Sequence, residues 1–190
     1  MIHELVERGI GLGTKLGASE VEVYALRSVE TDIVGTVRGI ERVSTGERVE
    51  VGVRVAVGKR VSVQGGMVSR VEDVDRIVET AVKVARTLPE DPQWVSLPRE
   101  LGRSHVEETV DRRIREPDLG YFIGLAQLLL RRAGEIDRRA FTSSVSVRLT
   151  THEGVIANSY GGPVSDQATE FSVFVSVKAV EAGEESGHYD

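Results

Sequence analysis

Hydrophobic and polar residues alternate most strictly over "VEVGVRVAV", where Val49, Val51, Val53, Val55 and Val57 hold every second place. An extended backbone sends alternate side chains to opposite faces, so all five valines share one face. β-branched residues suit that geometry and a period of two makes no helical face, so the pattern predicts a half-buried strand. The alternation recurs in "EVEVYAL", more weakly in "VETDIVGTV" and "GIERV", and in Val61-Ser62-Val63; "STGE" at 44–47 reads as a turn. Between Val57 and Val61 a three-residue loop, Gly58-Lys59-Arg60, keeps both valine rows on one face. A two-residue loop would put Val61 and Val63 on the other face, so the longer one is predicted.

Helical periodicity appears three times, predicting helices over 3–17, 70–88 and 118–133. The first carries Ile2, Leu5, Val6, Ile10 and Leu16, with Gly17 placed to close it in a left-handed position. Its glycines, Gly9, Gly11, Gly13 and Gly17, follow no strand, so they read as a surface for packing on a sheet, not a dinucleotide loop. The second opens with Ser69-x-x-Glu72, a capping-box pattern, and aligns Val71, Val74, Val78, Ala81, Ala85 and Leu88 in one stripe. Pro89, Pro92 and Pro98 follow in a connector that Trp94 is expected to anchor. Residues 99–117 are charged and show no clear period; the third helix then brings Leu119, Phe122, Ile123, Ala126, Leu129 and Leu130 to one side. Three further strands are expected, around Phe141–Leu149, Val155-Ile156 and Phe171–Val177, with turns at "THEG" and "NSYGG".

These elements predict an α+β fold: curved, largely antiparallel strands with the long helices packed on one face. The order divides at the connector into a helix–strands–helix unit, 1–98, and a second helix–strands unit, 99–190. The second unit looks like the first without its closing helix, which is the expectation for a fragment of a longer chain.

Charge and composition narrow the function. There are 30 acidic against 24 basic residues, a net charge of −6, which disfavours nucleic acid as a partner. The densest basic run, Asp111-Arg112-Arg113-Ile114-Arg115, has Glu107, Glu108 and Glu116 beside it and reads as a self-neutralised surface. Only Lys15, Lys59, Lys83 and Lys178 are lysines. No cysteine is present, which removes disulfides, thiolate ligands and a cysteine nucleophile together. No membrane-spanning run or signal peptide is visible, so a soluble, cytoplasmic protein is expected.

Catalytic chemistry has few candidates. His152-Glu153 begins like a zinc-peptidase motif, but Ile156 and Ala157 stand where a second histidine should be. His3 has no partner on its helix, His105 sits in a charged segment and His188 in the tail. Ser143 and Ser144 lie at a strand start, Asp73 and Asp75 at a helix start where they favour its dipole, and Asn158-Ser159-Tyr160-Gly161-Gly162 is turn chemistry. No catalytic, cofactor-binding or metal-binding residue is therefore assigned.

The stretches "LGASEVEVYALR", "GIERVSTGERVEVGVRVAVGKRVSVQGG", "IVETAVKVARTLPEDPQWVSLP" and "GVIANSYGG" resemble, in that order, the N-terminal domain of the TldD/PmbA family. The "PEDP…LP" connector and "GVRV…GKR" hairpin favour its PmbA, or TldE, branch. The family is often labelled a modulator of DNA gyrase. What the resemblance implies is a non-catalytic part of a dimeric zinc metallopeptidase system that cuts unfolded or leader peptides. The partner is a TldD-type subunit or a second copy, and an extended peptide could pair with an edge strand. Zinc is expected only in the TldD-type subunit, whose H-E-x-x-x-H motif has no match here. The alternative is a stand-alone binding or oligomerisation module.

Overall fold

A computed structural model describes residues 1–186. In chain order the elements are α1 (Ile2–Lys15), β1 (Glu20–Thr36), β2 (Gly39–Val57), β3 (Arg60–Met67), α2 (Asp73–Thr87), α3 (Arg112–Arg115), α4 (Leu119–Ile136), β4 (Ala140–Asn158), β5 (Gly161–Glu181) and β6 (Glu184–Glu185). The fold is α+β, with one six-stranded antiparallel sheet in the order β3-β2-β1-β4-β5-β6.

The strands are longer and fewer than the sequence pattern predicts. "STGE" lies inside β2 and "THEG" inside β4, so the expected turns there are absent. Turn-forming residue types yield to ladder partners: Thr45 Oγ1 lies 2.9 Å from Thr31 Oγ1, and Glu47 takes two hydrogen bonds from Arg27. Likewise His152 lies 2.9 Å from Ser28 Oγ, and Gly154 makes room for the ring of Tyr24. The first two of the three strands expected after α4 are thus one, β4.

The chain forms two compact units, each assembled from separated stretches. The first comprises Met1–Ser28, Glu47–Glu107 and His152–Gln167. Its core is the valine row of β2, Val49 to Val55, with Val21, Val23 and Ala25 of β1, beneath Leu5 and Val6 of α1 and Val74, Val78, Ala81 and Ala85 of α2. The valine ladder is therefore wall, buried on its odd face. Gly9 and Gly13 are buried against Val23 and Val21, the sheet packing that the glycines imply. At the end of α1 the Ala18 amide donates to Gly13 O and the Gly17 amide to Thr14 O, with Gly17 at φ +86°. That is the left-handed Schellman closure expected at this glycine.

The hairpin between β2 and β3 departs from expectation. Val57 pairs with Arg60 and Val55 with Ser62, so the loop has two residues, Gly58-Lys59. Gly58 adopts φ +62°, the conformation that a two-residue turn opening on glycine demands. Turn geometry outranks side-chain pattern here: Ser62 is buried and Val63 is 62% exposed. The start of α2 also differs, since Glu72 makes no side-chain cap. Asp73 Oδ2 instead accepts from the amides of Ser69 and Arg70, both at 2.9 Å. In the connector Leu97 is buried and Trp94 only half-buried, so leucine is the anchor.

The second unit comprises Val29–Gly46, Glu108–Thr151 and the stretch from Ala168. Phe122 and Ala126 of α4 cover Ile33, Val145, Val147 and Leu149, with Leu129, Leu130 and Val175 beside them. Asp118 starts α4 by accepting from the amides of Gly120 and Tyr121. The charged run near residue 111 becomes α3, and its arginines are paired as expected: Arg113 with Asp111 at 2.7 Å and Arg112 with Glu116 at 3.1 Å.

Candidate functional site

The described histidines do not gather. His3 is exposed on α1 and His105 is exposed before α3, while His188 lies outside the described residues. His152 and Glu153 are neighbours in β4, so their side chains leave opposite faces of the strand. The first meets Ser28, and the second stands 3.9 Å from Arg27. A shared ion would need both on one side. Among the described residues no three His, Cys, Asp or Glu side chains converge as a metal site.

Several carboxylates are committed to structure. Arg8 grips Asp75 through two hydrogen bonds of 2.7 Å and holds its carboxyl below the usual range. Hydrogen bonds from the Ser69 and Arg70 amides lower Asp73 in the same direction. Asp137 is lowered to about 2, chiefly by the Arg139 side chain and then by its amide. Ser143 Oγ donates to Ser176 O across the ladder, which is interstrand bonding and not nucleophile geometry.

One polar cluster in the first unit is buried. Glu20, 8% exposed, accepts from the Leu97 amide at 3.0 Å and from the Tyr160 hydroxyl at 2.6 Å. Arg99 lies 3.7 Å above the Tyr160 ring, a cation–π contact. Asn158 accepts from the amides of Tyr160 and Gly161 and donates to Pro98 O. The Glu20 carboxylate, the Tyr160 hydroxyl and the Asn158 amide each have a partner within the cluster, so it clasps the connector to the strand ends. The expected turn chemistry at Asn158 is present and extends to the connector.

The second unit offers a different kind of surface, at the outer edge of β5. Its neighbours in the sheet are β4 and β6, and β6 pairs only with Val180 and Glu181. At the other end the Thr169 amide donates to Thr109 O, and the Asp111 amide to Thr169 Oγ1. Ala179 O accepts from the Ser186 amide on the outer side, whereas the Val180 amide turns inward to Arg139 O. Residues of one parity point their backbone groups to one edge of an antiparallel strand. Phe171, Val173, Val175 and Val177 therefore direct N–H and C=O outward, where no described strand meets them. Beside this edge lies a groove of about 230 Å³, lined by Ile114, Tyr121, Phe122, Leu125 and Phe171 with Asp111 and Arg113 at its rim. The rings of Phe122 and Phe171 are 5.9 Å apart.

The sequence places a strand at 171–177 but not its position in the sheet. The available signal is charge: "FSVFVSV" carries none, whereas the exposed "ERVSTGER" of β2 carries four. Charged residues are what guard a solvent-facing edge.

Residues 107–190 match the family model described as the PmbA/TldA metallopeptidase central domain. Over these residues the chain is similar to the TldD/PmbA family. The family model thus describes residues 107–190 as a central domain, where the sequence resemblance led to the expectation of an N-terminal one. No curated protein matches. Among solved structures, TldE of Thermococcus kodakarensis superposes with a TM-score of 0.82 at 21% identity, over 97% of this chain and 41% of that one. A proposed modulator of a DNA gyrase from Thermotoga maritima gives 0.70 at 16% identity, over 97% and 41%. Another, from Bacteroides thetaiotaomicron, gives 0.76 at 15% identity, over 96% and 42%. At these identities the structures show a shared fold, and this chain spans about two fifths of their length.

Proposed function

We propose that this chain is a non-catalytic part of a TldD/PmbA-type zinc metallopeptidase system, of the PmbA/TldE branch, acting on unfolded or leader peptides in the cytoplasm. The open edge of β5 carries this reading, because strand addition is how a sheet takes extended polypeptide irrespective of its sequence. The description of the matched family model as metallopeptidase supports the reaction class. In this proposal the chain works as a dimer with a TldD-type subunit bearing H-E-x-x-x-H, and that subunit holds the zinc and breaks the bond. This chain supplies scaffold and docking surface.

The test is to mix the purified chain with such a subunit and to follow cleavage of an unstructured peptide. Cleavage that needs both proteins, with zinc stoichiometric only in the partner, supports the proposal. Hydrolysis by this chain alone, abolished by Glu153→Gln, overturns it. Failure to associate or to stimulate cleavage favours the alternative, a binding or oligomerisation module outside proteolysis.

A further inference from the structure

The open stretch of β5 is bounded. Thr109 closes it at Thr169, and Ser186 closes it at Ala179. Four residues between, Phe171, Val173, Val175 and Val177, aim backbone donors and acceptors outward. A short extended segment satisfies all of them, whereas the long strand of a second copy would meet the closures at both ends. The space therefore selects a brief stretch of partner backbone over a sheet-to-sheet dimer.

Side-chain chemistry narrows the partner further. Val175 packs into the core beside α4, and Phe171 meets the Phe122 ring, so the odd side chains of β5 lie on the α4 side. A segment added along the edge directs every second side chain to that same side, toward the groove. There it meets Ile114, Tyr121 and Leu125. Tyr121 is 65% exposed and Phe171 43%, so apolar surface is ready to be covered. The rim carboxylate Asp111 is already held by Arg113 through its side chain and amide, so the groove offers no free charge to attract an ionic residue. The opposite face presents Phe174, 50% exposed.

We propose that the β5 edge binds an uncharged extended peptide segment and that the groove beside it selects a large apolar side chain. This rests on the peptide-docking role proposed above and adds a preference to it. The groove is then a specificity-determining subsite at the edge, and Leu125 and Tyr121 are its discriminating side chains.

The experiment uses the complete chain and two fluorescein-labelled octapeptides, one alternating Leu and Thr, the other alternating Gln and Thr. Fluorescence anisotropy is expected to show the Leu peptide binding at least about tenfold more tightly, the scale on which a filled apolar pocket operates. Leu125→Glu, in a partly open position, should erase that preference. Val173→Pro, which removes one outward N–H, should weaken both peptides alike. Because a proline can disturb the strand, hydrogen exchange on the unmodified protein provides an independent reading. The amides of Phe171, Val173, Val175 and Val177 should gain protection when peptide is added. Equal affinity for the two peptides overturns the groove assignment, and the docking role survives if those four amides are still protected. Absence of protection at those amides overturns the edge site itself.

Discussion

At Gly13 an added Cβ would stand 2.8 Å from Val21 Cγ2, whereas at Gly11, two residues earlier in α1, it would meet nothing within 4 Å. The two positions should therefore respond oppositely to the same change. Gly11→Ala should stabilise by about 0.5–1 kcal/mol, since alanine loses less backbone entropy in a helix interior. Gly13→Ala should destabilise by about 1–3 kcal/mol, as overpacking usually does, because Val21 is fully buried and has nowhere to move. Thermal melting of both variants decides this, and equal shifts of one sign would contradict the close approach of α1 to the sheet. The Glu20 clasp makes a second prediction at this scale. Tyr160→Phe should leave the buried Glu20 carboxylate one donor short, lower the melting temperature and loosen the connector. Fluorescence of the single tryptophan, Trp94, reports the loosening.

Among elements, the hairpin of β2 and β3 shows what alternation can and cannot say. The valine row announces β2 without ambiguity, because burial of one face follows directly from the period of two. The partner register does not follow, because Gly58 can take a left-handed φ that fixes a two-residue turn whichever face Val61 and Val63 then occupy. Strand lengths were similarly hidden: Thr45 and His152 look like turn residues until their neighbours across the ladder are known. The three long helices were legible nearly to their ends, since each buries a stripe of its own, whereas α3, which buries no residue, was not. The β5 edge was not, since a run such as Phe171–Val177 alternates identically at the centre of a sheet and at its rim. The resulting prediction concerns the hairpin. Val63→Thr, on the exposed face, should change stability by less than about 0.5 kcal/mol. Val55→Thr, on the buried one, should cost about 1–3 kcal/mol for placing a hydroxyl in the core. Similar losses at both sites in urea unfolding would restore the three-residue loop.

For the whole molecule, acid should be the weak direction. Glu41, Glu47, Asp73, Asp75, Asp111 and Asp137 are all held below their ordinary pKa by hydrogen bonds, mostly with arginine. A carboxyl depressed in the folded state contributes stability that is complete above its unfolded pKa, near 4, and disappears as pH falls through the folded value. For Asp137 that window runs from about 4 down to about 2. The melting temperature should thus fall across this range, and Asp137→Asn should flatten part of the fall. Most of these pairs are exposed, so added salt should blunt the effect. A melting temperature independent of pH down to 2 would show that the pairs form equally well in the unfolded chain. A different consequence attaches to the outer limb of the β1–β2 hairpin, where every side chain from Glu41 to Arg48 is solvated and the bend at Val37 and Arg38 carries no core residue. Only the exposed Arg38–Glu41 pair rests on that bend, so it is the natural port for splicing in foreign cargo: an epitope or a capture tag inserted after Arg38 should be displayed with little change in the melting profile.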